Sequence, residues 1–252
     1  MNNLDLVLSD SRCDLGENAK VLAELVSNFS NSRFMDLGVR FGHSSMIMSI
    51  DSDKNNNQIC GCDIDFKNFN SYGSNYVSQN YMCYLYDTVT LGKNWDEDPF
   101  DIIFIDTEHT REQVLSELYF WSNHIKEGGY LIFHDSHWIN PGPVYGGIQH
   151  ERVDVAITDF FGLPKSVREM TTYQDNNISL KHYSPSNGMT FIQVKSFDGI
   201  QKLKNNINWS KVFENRNWMV DFILNSKNPN RWSIDWGLEY ENIIFEPVII
   251  VE

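Results

Sequence analysis

The sequence predicts an α/β fold: a doubly wound, mostly parallel sheet with helices on both faces and an antiparallel hairpin at its end. Three observations predict it. Short apolar runs alternate with stretches of helical periodicity: "RFMDLG" (33–38), "QICGCDID" (58–65), "YMCYLYD" (81–87), "FDIIFID" (100–106) and "GYLIFHD" (129–135). Such alternation closes into a parallel sheet, because each crossover carries a helix back over a face. The run "FDIIFID" is apolar almost throughout, as a strand covered on both sides must be. Finally, these runs end in acids or glycine, where a doubly wound sheet collects its ligands.

The elements follow in order. Over residues 17–29, Val21, Leu22, Leu25, Val26 and Phe29 share one helical face. The first strand (33–38) leads to a helix at 44–50, and the polar loop "DSDKNNNQ" leads to the second strand. After the fourth strand, Thr110 and Gln113 have capping-box spacing. Val114, Leu115, Leu118, Trp121 and Ile125 then form a stripe that Gly128 is expected to stop. A helix near 151–161 follows the fifth strand. Strands at 178–183 and 189–195, joined by "SPSNG", supply the hairpin. Residues 1–195 therefore read as one domain. Residues 196–252, rich in Asn and Trp and ending in "NIIFEPVIIVE", read as an appendage packed on that domain or on a second subunit of a homo-oligomer.

Composition narrows the partners. A chain of 252 residues with 41% hydrophobic content forms a sizeable core, and its formal charge of −14 repels polyanions. No nucleic-acid partner is expected. No apolar stretch reaches the length of a membrane span, and the start lacks a signal-peptide pattern, so the cytoplasm is expected. Cys13, Cys60, Cys62 and Cys83 match no metal-binding or disulfide framework and read as reduced thiols.

The stretch "FMDLGVRFGHSS" (34–45) is either a tight strand-to-helix turn or a cofactor floor. Gly38 and Gly42 permit a tight turn and close approach of backbone to a ligand, but their G-x-x-x-G spacing is not the dinucleotide fingerprint. Asp36 can meet an ammonium, Ser44 and Ser45 a carboxylate, and Asp63, ending the second strand, two ribose hydroxyls. A ligand with an amino-acid end and a ribose end is described, and S-adenosylmethionine fits it.

Together with "GCDID", "FDIIFIDTEHTREQVLSELYFWSNHIKEGGYLIFHD" and "NGMTFIQVK", this stretch resembles the class I S-adenosylmethionine-dependent methyltransferases. The likeness is to the small-molecule O-methyltransferase branch with D-G-x-H and H-D strand ends, similar to cephalosporin hydroxylase-like and macrolide sugar O-methyltransferases. It spans roughly residues 15–195 and implies a Rossmann-like fold and O-methylation of a small hydroxylated acceptor such as a sugar or natural product. It also implies cofactor contacts at Asp36, Gly38, Gly42, Ser44 and Asp63, with Asp87 beside the adenine. One departure is Thr107, where the pattern has glycine: a positive φ there is costly for a β-branched residue.

Asp106 and Asp135 end adjacent strands and repel unless a positive group lies between them. Mg²⁺ is one answer. In related catechol-type enzymes an Asn after the second acid joins the metal; here Ser136 stands in that place. The histidines offer another mechanism: His109, His134 and His137 cluster by sequence around the two acids, and a neutral imidazole can take the proton of an acceptor hydroxyl. His43 reads as a loop residue or cofactor neighbour, and His124, His150 and His182 as surface. The loop at 137–149 is a candidate acceptor lid, with Trp138 and Tyr145 lining its pocket. A binding or assembly module that has lost catalysis is the competing reading; a nicotinamide oxidoreductase lacks its fingerprint.

Overall fold

The parallel core of the sheet is β1 (Arg33–Leu37), β2 (Gln58–Asp63), β3 (Met82–Leu85), β4 (Phe100–Ile105) and β5 (Ile125–His134). The computed structural model describes residues 2–137, 142–164 and 171–225. Within them, β6 (Val144–Tyr145) and β7 (Ile148–Gln149) form a small antiparallel pair, and β8 (Thr172–Gln174), β9 (Ile178–Tyr183) and β10 (Met189–Val194) complete an eight-stranded sheet. Its order is β3-β2-β1-β4-β5-β10-β9-β8. The strand β10 runs antiparallel to both β5 and β9, so the expected hairpin is the source of the antiparallel pairing, extended by the edge strand β8.

Helices cover both faces: α1 (Asn3–Ser9), α2 (Asn18–Val26), α3 (His43–Met48), α4 (Ser52–Asn55), α5 (Lys67–Ser71), α6 (Thr88–Asn94), α7 (Arg111–Trp121), α8 (Val153–Phe160), α9 (Phe197–Leu203) and α10 (Trp209–Asn225). The two-residue period of a strand splits the core between them. Met35, Cys60, Cys62, Ile103 and Phe133 pack with α7 and α8 on one face, while Phe34, Ile59, Ile102 and Phe104 pack with α2 and α3 on the other. Both faces of β4 are buried, as its apolar run requires. Cys60 and Cys62 lie in the core as free thiols.

One boundary differs from expectation. The helix α7 is capped by the Thr110 hydroxyl, 3.3 Å from the Gln113 amide, but it ends at Trp121. Ile125 continues the helical spacing by coincidence and opens β5 instead, opposite Phe100. Gly128, at φ +85°, sits where the β4–β5 register slips and does not stop the helix. An apolar residue just past a helix satisfies helical and strand patterns alike.

The segment 196–225 packs on the rest of the fold. Val212 joins the core beside α7, and Phe213 meets Tyr119 edge-on at 5.2 Å between ring centroids. The tail from 226, including "NIIFEPVIIVE", lies outside the described residues, as does Trp138. No helix among the described residues is long and apolar enough to cross a membrane.

Candidate active site

The strand β1 has β2 on one side and β4 on the other, so the order reverses there. A crevice at such a point takes ligands beyond the carboxyl ends of the strands. The turn that follows β1 fills this place, and its shape rests on two glycines. At φ +91°, Gly38 lies against β4's end: a Cβ there would stand 2.6 Å from the Asp106 carbonyl carbon. Gly42, at φ +87°, starts α3, with the Phe69 ring 2.6 Å from any Cβ. Both are needed for the turn itself, whatever it holds. Arg40 between them also takes a left-handed φ, +51°.

Asp36 is wholly buried under this turn. It accepts from the Ser44 hydroxyl at 2.7 Å and from Ser45, which in turn pairs with Tyr81. Burial pushes its carboxyl up to about 7, against the two serine bonds that favour the charge. Its Oδ1 has no hydrogen-bond partner. A buried orphan oxygen at a sheet's switch point fits an incoming ammonium. Ser44 is turned to Asp36 rather than outward. Asp63 ends β2 and accepts the Arg40 and Asp65 amides at 2.8 and 3.0 Å; burial raises its pKa against them. Asp87 caps α6 through the Thr90 amide at 2.8 Å and is ion-paired with Arg216 of α10, which is 0% exposed. Its carboxylate is thus already engaged by the C-terminal segment.

The chemistry residues meet at the ends of β4 and β5. His109 Nε2 lies 3.1 Å from Asp106 Oδ1 and 2.9 Å from Asp135 Oδ2. His134 Nδ1 lies 3.3 Å from Asp106 Oδ1 and 3.6 Å from Asp135 Oδ2. Imidazoles therefore occupy the space between the two carboxylates. Burial opposes their charge, but the acids prevail: Asp135 and Asp106 hold the His109 pKa well above its ordinary value, and Asp106 leads in raising His134 to about 9. Asp106 is buried too, yet His134 and His109 hold its carboxyl far below the usual range. Asp135 has φ +50°, a conformation Asp tolerates better than most and one that concentrates at functional sites.

Two residues expected here are elsewhere. The Ser136 hydroxyl is turned to Phe133 O (3.3 Å) and Thr190 Oγ1 (2.8 Å), because the chain after Asp135 pairs with the β9–β10 hairpin; it does not join the acids. His137 follows the same path, its ring 5.7 Å from that of His182. Three expectations of surface histidines are also corrected. His124 bonds the Gly92 carbonyl (3.1 Å), His182 the Thr190 hydroxyl (2.9 Å), and His150 is 8% exposed beside Tyr145. His43 is buried, with Nε2 3.0 Å from Asp10. Tyr145, expected to line a lid, is itself buried against His150.

Thr107 has no positive φ, so the feared strain is absent. Its hydroxyl donates to Glu117 Oε1 at 2.8 Å, which also accepts from Thr88 and Gln113. This bond replaces the freedom a glycine would give with a fixed anchor for the turn carrying His109. Sequence reasoning missed Glu117, Arg216 and Asp14. Asp14 pairs with Arg40 at 2.7 Å and comes close to Asp106 and His134. It sits in a polar stretch ahead of β1, and no spacing in the chain marks it.

The sheet order and the helices on both faces give a Rossmann-like methyltransferase fold. The comparisons agree. Residues 35–136, from β1 to just past β5, match the family described as "Methyltransferase domain". No curated protein matches the sequence. Among solved structures, an O-methyltransferase of Bacillus cereus in complex with SAH is similar at TM-score 0.51 and 16% identity, covering 77% of this chain and 90% of its own. An SAH-bound methyltransferase of Podospora anserina gives 0.50 at 12% identity, over 77% and 86% of the two chains. A Klebsiella pneumoniae protein provisionally named an O-methyltransferase gives 0.54 at 18%, over 77% and 90%. These likenesses concern the fold. The matched segment is similar to that family, and the solved structures share its fold.

Proposed function

We propose that the protein transfers the methyl group of S-adenosylmethionine to a hydroxyl oxygen of a small acceptor. The observation that carries this reading is the contact of the two half-sites: Gly38 of the cofactor turn lies directly on the Asp106 backbone, and Asp106 is the acid shared by His109 and His134. The orphan Asp36 oxygen, the serines beside it, Gly38, Gly42 and Asp63 would hold the cofactor, and Asp87 would shape its adenine side from within the Arg216 pair. When bound, the cofactor supplies an electrophilic methyl on a sulfonium.

The chain's own residues handle the proton. An acceptor hydroxyl that enters beside Asp135 separates His109 from one of its two carboxylates and lowers its hold on a proton. As that contact is lost the ring gives its Nε2 proton to solvent. The emptied nitrogen then takes the hydroxyl's proton as the methyl is transferred, and Asp106 stabilises the imidazolium that results. His134, buried and fixed to Asp106, keeps that acid oriented. The oxygens of Asp106 and Asp135 suit a divalent cation, but Ser136 offers no third ligand and an imidazole nitrogen lies between them. Mg²⁺, which prefers an all-oxygen shell, therefore fits this donor set poorly.

Residues 1–195 act in this reading as the catalytic unit, with 196–252 as its appendage. The acceptor in this reading is a small molecule, because the chain's formal charge of −14 disfavours nucleic acid, and the cytoplasm is its proposed location. The test is transfer of labelled methyl from S-adenosylmethionine to a panel of sugars, phenols and polyketide alcohols. Turnover that Asp106→Ala and His109→Ala abolish supports the reading. Cofactor binding without turnover of any acceptor would favour a binding module that has lost catalysis.

A further inference from the structure

Glu117 is a buried acid that the transfer chemistry leaves unused. It lies in α7 at 0% exposure, and burial pushes its carboxyl up to about 7. One oxygen makes all its hydrogen bonds. Oε1 accepts from the Thr88 hydroxyl at 2.5 Å, the Thr107 hydroxyl at 2.8 Å and the Gln113 side-chain amide at 2.8 Å. Oε2 has no hydrogen-bond partner among the described residues. A carboxyl placed this way costs stability, and an apolar side chain of similar volume would carry no such cost. What distinguishes the position is where its donors come from. Thr88 directly follows Asp87 in the loop after β3, and Thr107 directly follows Asp106 in the loop after β4. These strands are not neighbours: β2 and β1, which end in Asp63 and the cofactor turn, stand between them. Glu117 thus gathers the loops on either side of the candidate cofactor floor onto one atom. Gln113 closes a circuit, because its Oε1 accepts from Arg216 Nε at 3.0 Å and Arg216 pairs with Asp87.

We propose that Glu117 is a positioning residue for methyl transfer, holding the Asp87–Thr88 loop and the Thr107–His109 loop in fixed relation through one shared oxygen. The inference rests on the functional reading above and adds the device that aligns its two half-sites. The Thr88 arm steadies Asp87 on the cofactor side. The Thr107 arm steadies the turn from which His109 reaches across to Asp135, 2.9 Å away. Transfer needs both sides aligned at once, and a small misplacement of either is expensive in rate. The circuit through Gln113 and Arg216 makes α10, which lies beyond the matched segment, part of the same alignment.

The test is steady-state methyl transfer by full-length variants, with S-adenosylhomocysteine affinity measured by calorimetry on the same samples. Thr107→Val removes the base-side arm. It should lower kcat by about tenfold or more while S-adenosylhomocysteine affinity stays within about twofold, and Thr107→Ser should recover the rate. Thr88→Val removes the cofactor-side arm and should weaken S-adenosylhomocysteine by about threefold or more. Glu117→Met should show both losses, and adding Thr107→Val to it should cost nothing further. Glu117→Gln keeps an acceptor oxygen and should recover most of what Glu117→Met loses. A merely structural bond would lower the melting temperature without separating rate from affinity. If Glu117→Met fails to fold, the threonine variants decide. Wild-type kcat in Thr107→Val, a loss that Thr107→Ser does not recover, or unchanged affinity in Thr88→Val would each overturn the proposal. If the wild-type chain binds S-adenosylhomocysteine but methylates no acceptor, the functional reading fails and the affinities still decide the Thr88 arm. If the folded chain does not bind it, both fail.

Discussion

Replacing Gly38 by alanine probes the point where the cofactor turn meets the chemistry. The left-handed backbone there, φ +91°, costs an L-residue roughly 1–2 kcal/mol. The new Cβ would stand 2.6 Å from the Asp106 carbonyl carbon and 3.1 Å from the Thr107 nitrogen, backbone atoms that cannot swing aside. Relief requires the ends of β1 and β4 to part, giving up the 2.8 Å bond from the Asp106 amide to Leu37 O. That bond contributes about 1 kcal/mol. The total is about 3 kcal/mol, or a fall in Tm of roughly 6–12 °C for a chain of this length. Gly42→Ala is the internal comparison. Its Cβ would meet the Phe69 ring at 2.6 Å, a side chain that can rotate, so the cost stays near the conformational term of roughly 1–2 kcal/mol. Thermal unfolding by circular dichroism reads both. An unchanged melting point for Gly38→Ala, or a larger loss for Gly42→Ala, would refute the reasoning.

Other outcomes follow from buried charges and thiols. Arg216→Met leaves Asp87 buried without its cation and should cost about 3–5 kcal/mol in urea unfolding, largely restored by adding Asp87→Asn. Asp36 holds its proton up to about 7 when folded, against 3.8 for an ordinary aspartate, so the folded chain binds more protons across that window. Stability should therefore fall as pH rises from about 4 to about 7, and Asp36→Asn should flatten that fall, read as urea midpoints across the range. Cys83 is exposed and should react first with a thiol reagent, whereas Cys60, its thiol pushed up to about 12 by burial, and Cys62 should react only on unfolding; mass spectrometry of labelled peptides distinguishes them.

Much of the fold was legible because its signals are local. The run of β4 could only be a doubly covered strand, and the capping-box spacing at Thr110 marked the start of α7. The end of α7 was misjudged because Ile125 satisfies two periodicities at once. The acids at the ends of β4 and β5 were legible from their position after apolar runs. What holds them together was not: the sequence suggested a cation between Asp106 and Asp135, but it is His109 and His134 that stand between them. Ser136 and His137 follow those acids in sequence, yet the backbone turns at Asp135 and carries both toward the hairpin. Asp14, Glu117 and Arg216 act through partners far along the chain, and no local pattern announces a charge that becomes buried only when its partner arrives. Arg216 in particular reads as one more polar residue of the Asn- and Trp-rich appendage until Asp87 is placed beside it.

Calorimetric titration with S-adenosylhomocysteine tests the central claim most directly, namely that the turn after β1 and the acid ending β2 form a cofactor floor. One site per chain is predicted in the wild-type protein, with affinity weakened at least about tenfold in Asp63→Ala, the equivalent of about 1.4 kcal/mol. No binding by the folded wild-type chain, or equal binding by Asp63→Ala, would contradict it.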